Sequence, residues 1–408
     1  MSQHTSGPQF QLAHRLDGVS ESATLKLNAA VQAMKAQGVD VINLTAGEPD
    51  FNVPAAAKKA VLQAVEQNRS KYTPAAGILE LRNLIVQKTN AQQPSVSDKN
   101  PWKATDVVVT NGGKQAIFNA FLALLNPGDE VLVPSPYWLS YPEMIKLTGA
   151  KAVFIPTTVE NEFKITPAQL KAALTPRTRL LIVNSPSNPT GMVYSKAEFT
   201  ALGRVLSETA GAEGVWVLSD EIYDRINFGR IPFCSFLESS PQLHDRTVTV
   251  NGLSKSAAMT GWRVGWSVAP SGLTQGMITL QGQSTSGINS LAQAASVAAL
   301  QLPESDFAEQ IATYRRRRDL TLEILGKAGK LEVAAPEGAF YVFIGVKGYL
   351  KAGEDSFSFA EAVLEKSKVA VVPGAPFGAP EFIRISFALE EKALRAGCER
   401  LVEFLLSR

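Results

Sequence analysis

Two rhythms of apolar and polar positions run along this chain. Over residues 22–37 the apolar positions Leu25, Leu27, Ala30, Val31 and Met34 recur at helical spacing, and Gly38 closes the run. Residues 41–44 form a short extended segment that leads into 45–51. There Gly47 and Pro49 mark a tight bend, or backbone that comes close to a ligand. Helices are predicted over 55–68 and 79–89, followed by a polar, proline-containing surface connection over 92–103.

From Asp106 the rhythm changes. Apolar runs at 107–109, 131–133, 180–183, 215–218 and 248–250 each end in a turn, with a helix over 114–125. Short apolar strands alternating with helices predict a mostly parallel sheet covered on both faces. A Gly/Ser/Thr-rich stretch, 281–290, then precedes a long helical region over 291–328, broken near Leu302-Pro303. Strands at 339–344, 369–372 and 384–387 and a closing helix from Glu390 read as an α+β segment. The expected division is an N-terminal arm and part of a small domain (1–47), a large domain (48–300) and a C-terminal small domain (301–408). Residues 1–20 are polar and unpatterned, as in a mobile arm. Arg315 to Arg318, on one helix, point around most of its circumference, as on a solvated or inter-domain face.

The chain has 408 residues, 45% hydrophobic, enough for more than one domain. Lys+Arg 40 against Asp+Glu 38 points neither to nucleic acid nor to an anionic membrane. Two cysteines, Cys234 and Cys398, fit a reducing, cytoplasmic compartment. The first thirty residues have no basic start with an apolar run behind it, and no window is apolar enough to span a membrane. With only His4, His14 and His244, neither a histidine-based hydrolase nor a zinc site is expected, and no metal is predicted.

In parallel sheets of this kind, functional groups gather beyond the carboxyl ends of the strands. Trp138, Asn188, Asp220, Tyr223 and Lys255 all follow predicted strand ends. Lys255 sits among Gly252, Ser254, Ser256, Ala257 and Ala258, where a lysine can lose its proton and become a nucleophile. Together they suit a flat aromatic cofactor with an aldehyde, a pyridine nitrogen and a phosphate. Lys255 would condense with the aldehyde, and Asp220 would keep the ring nitrogen protonated. Tyr223 and Asn188 would bond the phenolic oxygen, and Trp138 would stack on the ring. Gly112, Gly113 and Lys114, at a helix start, would cradle the phosphate with Ser254 and Arg263.

On these motifs the chain resembles a class I pyridoxal-phosphate aminotransferase of fold type I, most closely the bacterial aspartate aminotransferases. The motifs are T-A-G-E-P-D-F at 45–51, K-Y-T-P-A-A-G at 71–77, G-G-K-Q-A at 112–116 and P-Y-W-L-S-Y-P-E at 136–143. They continue with N-S-P-S-N-P-T-G at 184–191, S-D-E-I-Y at 219–223, S-K-S-A-A-M-T-G-W-R-V-G at 254–265 and R-I-S-F at 384–387. The resemblance implies pyridoxal 5'-phosphate as cofactor, and an α/β fold with a large, mostly parallel sheet flanked by helices beside a smaller α+β domain. It further implies that Arg384 clamps the substrate α-carboxylate and that Gly47 lies near the same group. Trp138 and Asn188 would also touch substrate, and Tyr72 would reach the phosphate of the neighbouring subunit in a homodimer with shared sites. The reaction would be ping-pong transamination with Lys255 as the general base.

For the distal carboxylate of a dicarboxylic substrate, the stretch 282–290 carries no arginine. The resemblance points instead to Lys114, with Ser22 and Thr24 of the S-A-T motif. The expected activity is an aspartate (or glutamate) aminotransferase acting with 2-oxoglutarate or oxaloacetate. Lys114 could alternatively serve the phosphate alone. Aspartate/prephenate or aromatic aminotransferases and a β-lyase share the fold, and a non-catalytic ligand sensor would need an added DNA-binding domain.

Overall fold

The computed structural model describes residues 12–21 and 23–408. Its strands are β1 (Ile42–Asn43), β2 (Val107–Asn111), β3 (Glu130–Ser135), β4 (Lys151–Pro156) and β5 (Thr178–Asn184). Next come β6 (Trp216–Asp220), β7 (Thr247–Gly252), β8 (Val264–Val268), β9 (Glu332–Val333) and β10 (Tyr341–Gly345). The last are β11 (Val369–Ala370), β12 (Val372–Pro373) and β13 (Phe382–Ser386).

Seven strands form the main sheet in the order β2-β8-β7-β6-β5-β3-β4. All its pairings are parallel except those of β8, which runs against both β2 and β7. The strands are apolar at consecutive positions because both faces are covered. Val107 and Val109 point into one core and Val108 into another; Leu181 and Val183 likewise oppose Leu180 and Ile182. The helix Gly113–Leu124 buries Ala116, Ile117, Ala120, Phe121 and Leu124, one stripe at helical spacing, against the second core.

A four-stranded sheet, β12-β13-β10-β9, and the parallel pair β1-β11 pack with the helices Ala308–Leu325, Ser356–Ser367 and Glu391–Leu406. Their core also takes in Leu44, Tyr223, Ile226 and Phe228, so the two parts of the molecule meet where the site residues lie. No helix among the described residues is long and apolar enough to cross a membrane.

Several expectations need correction. The segment 92–103 is more than a surface connection: it holds the helix Pro94–Ser97 and Trp102, which is 3% exposed. The Trp102 indole donates to Gln93, and its ring stacks on His244. Residues 369–372 do not make one strand, because β11 pairs with β1 while β12 pairs with β13. Strands β4 and β8 and the helices Pro167–Ala173 and Lys196–Glu208 were not anticipated, although both helices start with a reciprocal capping box, Thr166/Gln169 and Ser195/Glu198. Of the four arginines, Arg316 is exposed beside Glu309, whereas Arg317 is buried and grips Asp50 with two bonds of 2.8 Å. In the N-terminal stretch expected to be mobile, the Ser20 amide donates to Glu143 and Gly18 accepts from Lys146.

Candidate active site

The carboxyl ends of β2, β3, β5, β6 and β7 open onto one cleft of about 380 Å³. It is lined by Gly47, Gly113, Lys114, Trp138, Asn188, Asp220, Tyr223, Ser254, Lys255, Arg263 and Arg384. Gly112 stands beside it, under the Arg263 guanidinium. Thus the residues predicted from the motifs converge, with three exceptions. Tyr72 is fully exposed, and it does not line this cleft. Ser22 lies outside the described residues, as does the side chain of Thr24.

Each group is placed by its strand. Asp220 ends β6 and is 4% exposed. Its carboxylate accepts from the Tyr141 hydroxyl at 2.6 Å and from the Ile222 amide at 3.3 Å. Burial pushes its carboxyl up to about 6, against the pull of the Tyr141 bond. Lys255 follows β7 in the one-turn helix Leu253–Ser256. Its amine donates to the Gly47 carbonyl, and desolvation lowers it to about 8, although Glu48 and Asp220 nearby oppose the shift. A neutral carbonyl as nearest partner leaves the amine without the carboxylate that would hold its proton.

Arg384, on β13, is 2% exposed. It donates to Asn188 Oδ1 at 2.8 Å and to the Thr45 carbonyl at 3.2 Å, and it faces no carboxylate at ion-pair distance among the described residues. Its Nε has no partner among the described residues, and burial lowers its pKa from the ordinary guanidinium value. A buried cation with only neutral acceptors is prepared for an anion. At the mouth, the exposed Lys114 holds its amine 5.0 Å from the Trp138 ring centroid, and desolvation with the Arg263 charge lowers its pKa.

Lys114 belongs to the first turn of the helix Gly113–Leu124, whose first amides are free of helical partners. Gly112 has φ 81°, and a Cβ there would come within 2.5 Å of Arg263 Nη2, so glycine is required. Gly265 is confined in the same way, since its Cβ would lie 2.3 Å from the Gly113 nitrogen. Arg263, itself at φ 56°, donates, among the described residues, to the carbonyls of Thr260 and Asn111 alone. Free amides, a close-packed glycine turn and an arginine bonded to carbonyls suit a phosphate, and Asp220 and Lys255 line the same cleft. These residues therefore fit pyridoxal 5'-phosphate.

Sequence reasoning assigned no role to Tyr141, Asn184, Tyr341 or Thr260. Tyr141 and Asn184 lie within quoted motifs, and Asn184 ties two loops together by donating to the Asp220 carbonyl and accepting from the Asn188 amide. Tyr341 lies in a predicted strand and had no signal of its own. Its hydroxyl meets that of Tyr223 at 2.9 Å.

A family profile described as "Aminotransferase class I and II" matches residues 39–401. The "Probable aspartate/prephenate aminotransferase" of Rhizobium leguminosarum bv. phaseoli is 43% identical over 400 residues, covering 96% of this chain and 98% of its own length. An aspartate aminotransferase of Geobacillus stearothermophilus is 40% identical over 401 residues, covering 98% and 100%. Among solved structures, the aspartate aminotransferase from Thermus thermophilus with maleate superposes with a TM-score of 0.90 at 40% identity, covering 97% of this chain and 100% of that one.

Proposed function

The chain belongs to the class I and II aminotransferases, and from that premise we propose that it moves the amino group of aspartate or glutamate to 2-oxoglutarate or oxaloacetate. Its cofactor is pyridoxal 5'-phosphate. The observation that carries the substrate reading is that, besides Lys255 and Arg263, two further basic groups line the cleft: Arg384, buried and without a carboxylate partner among the described residues, and Lys114 at the mouth. A dicarboxylic substrate complements both.

When bound, the cofactor supplies an aldehyde for the amino group and a ring that draws electrons from the substrate α-carbon. Arg384 holds the α-carboxylate, with Asn188 orienting its fork, and Gly47 lines the same end. Lys255, its amine lowered towards neutrality, takes the α-proton and returns it. Asp220 holds a negative charge for the ring nitrogen and is itself fixed by Tyr141. Tyr223 and Asn188 supply donors for the phenolic oxygen, and Trp138 covers the ring. Gly112, Gly113, Lys114, Ser254 and Arg263 hold the phosphate. The amino group is passed in two halves, one acid leaving before the next enters.

We read residues 48–300 as the cofactor-binding unit, with 1–47 and 301–408 as the unit that brings Arg384. The full exposure of Tyr72 supports a homodimer in which it completes the partner subunit's site. Unpaired Cys234 and Cys398 support a cytoplasmic location. A second reading, aspartate/prephenate aminotransferase, is favoured by the Rhizobium relative; prephenate also carries two carboxylates.

The test is a half-reaction. Purified protein with bound cofactor is mixed separately with aspartate, glutamate, tyrosine and alanine, and its visible absorption is followed. Fastest conversion by aspartate and glutamate is expected. If tyrosine is fastest, the substrate reading fails while the family stands.

A further inference from the structure

Tyr341 on β10 touches three parts of the site at once. Its hydroxyl lies 2.9 Å from that of Tyr223. Its ring centroid lies 4.3 Å from the Arg384 guanidinium carbon, and its oxygen stands 3.7 Å from where a Cβ on Gly47 would sit. The side chain lines the cleft yet is only 1% exposed. Phe377 faces the same guanidinium at 5.0 Å.

Two physical needs meet at this residue. A buried phenol must find a hydrogen-bond partner, and Tyr223 and Tyr341 satisfy each other. A buried guanidinium without a carboxylate has few restraints on its plane. Here two neutral acceptors hold its ends, and two aromatic rings face its carbon. β10 and β13 pair antiparallel, with Phe343 opposite Arg384 and Tyr341 opposite Ser386. Tyr341 is therefore two residues along β10 from the direct cross-strand neighbour of Arg384, within reach of a large side chain.

We propose that Tyr341 is a positioning residue with two separable actions: its ring orients the Arg384 fork towards the substrate α-carboxylate, and its hydroxyl holds the Tyr223 hydroxyl in place within the cleft. The proposal rests on the aminotransferase reading and adds a residue to it. Besides Tyr341, the titratable groups that face Tyr223 are Arg384 on β13, Asp220 on β6 and Tyr141, all of which remain in the variants below.

Tyr341→Phe keeps the ring and removes the hydroxyl; Tyr341→Leu removes both. Each is prepared with bound cofactor beside the wild type. Three quantities are read: the dissociation constant for maleate from tryptophan fluorescence, the pH midpoint of the cofactor's visible absorption, and kcat and KM for aspartate. Tyr341→Phe should bind maleate within about twofold of wild type, move the pH midpoint, and lower kcat about tenfold with little change in KM. Tyr341→Leu should weaken maleate about tenfold and raise KM to match.

A phenylalanine variant that matches wild type in both midpoint and kcat overturns the proposal. So does a leucine variant that binds maleate as wild type does. If the leucine variant does not fold, the near-isosteric phenylalanine variant decides by its midpoint. A wild type that converts neither dicarboxylic amino acid removes the dicarboxylate reading, while the family stands, and the inference falls with that reading. An active wild type with unresponsive variants overturns the role of Tyr341 alone.

Discussion

The amine of Lys255 donates to the carbonyl of Gly47 at 2.5 Å, across 208 positions of sequence. The bond joins the lysine after β7 to the bend after β1. The nearest partner is a neutral acceptor, so burial governs the amine, and its pKa falls to about 8. In cofactor-free protein, labelling of Lys255 by an amine-reactive reagent should have a midpoint near pH 8, against about 10.4 for surface lysines. Peptide mass spectrometry across pH checks this, and a midpoint at the surface value rejects it. The folded value lies below the unfolded one, so the native state binds fewer protons between about 8 and 10.5. Stability of the cofactor-free protein should therefore rise with pH across that window, and Lys255→Met should flatten the rise.

Tyr141→Phe removes the 2.6 Å bond to Asp220. That bond favours the ionised carboxylate, so its loss should push the Asp220 pKa further above about 6. The acid limb of kcat/KM for aspartate should move to higher pH in the variant. An unmoved limb would mean that another group controls it. In the wild-type apoprotein the raised carboxyl makes the native state bind more protons between about 4 and 6, so its contribution to stability falls as pH rises through that range.

Lys114→Gln keeps the length of the side chain and removes its charge. KM for aspartate should rise by roughly tenfold or more, the value of one charge-assisted bond, with a much smaller change for tyrosine. Steady-state kinetics with both substrates decide. Equal effects would assign Lys114 to the phosphate alone.

Asp50→Ala leaves the Arg317 side chain buried and without its carboxylate. Urea unfolding should show a loss of about 2 kcal/mol, the scale of a charged group deprived of its partner. The double variant Asp50→Ala, Arg317→Met should recover part of that loss. Because Asp50 lies three residues beyond Gly47, KM for aspartate should rise in the single variant as well.

Tyr72 is proposed to act across a dimer. Tyr72→Ala and Lys255→Ala homodimers should each be impaired, the second by at least about 10³-fold in kcat. Mixed after dissociation and reassociation, they should regain activity, because hybrids carry one site free of both substitutions. No recovery in verified hybrids would confine Tyr72 to its own subunit.

Local signals carried much of the architecture. The runs at 107–109, 131–133, 180–183 and 248–250 were readable as strands because a parallel sheet buries both faces, and the site residues after them followed from that rule. Gly112 and Lys255 could be singled out because the glycine turn and the lysine lie beside a strand end in the chain itself. Strand β8 was not readable: it sits next to Arg263 in a motif dominated by small and polar residues, and only its pairing with β2 and β7 makes it a strand.

What the sequence by itself determined is the order of β2, β3, β5, β6 and β7 with the turns and candidate groups that follow them, since these depend on neighbours within a few residues. Only the tertiary structure decided which distant groups meet. Arg384 accepts its orientation from Asn188, Thr45, Tyr341 and Phe377, which come from four separate parts of the chain. The shifts of Asp220 to about 6 and Lys255 to about 8 likewise come first from burial, a property of the assembled cleft and of no single segment.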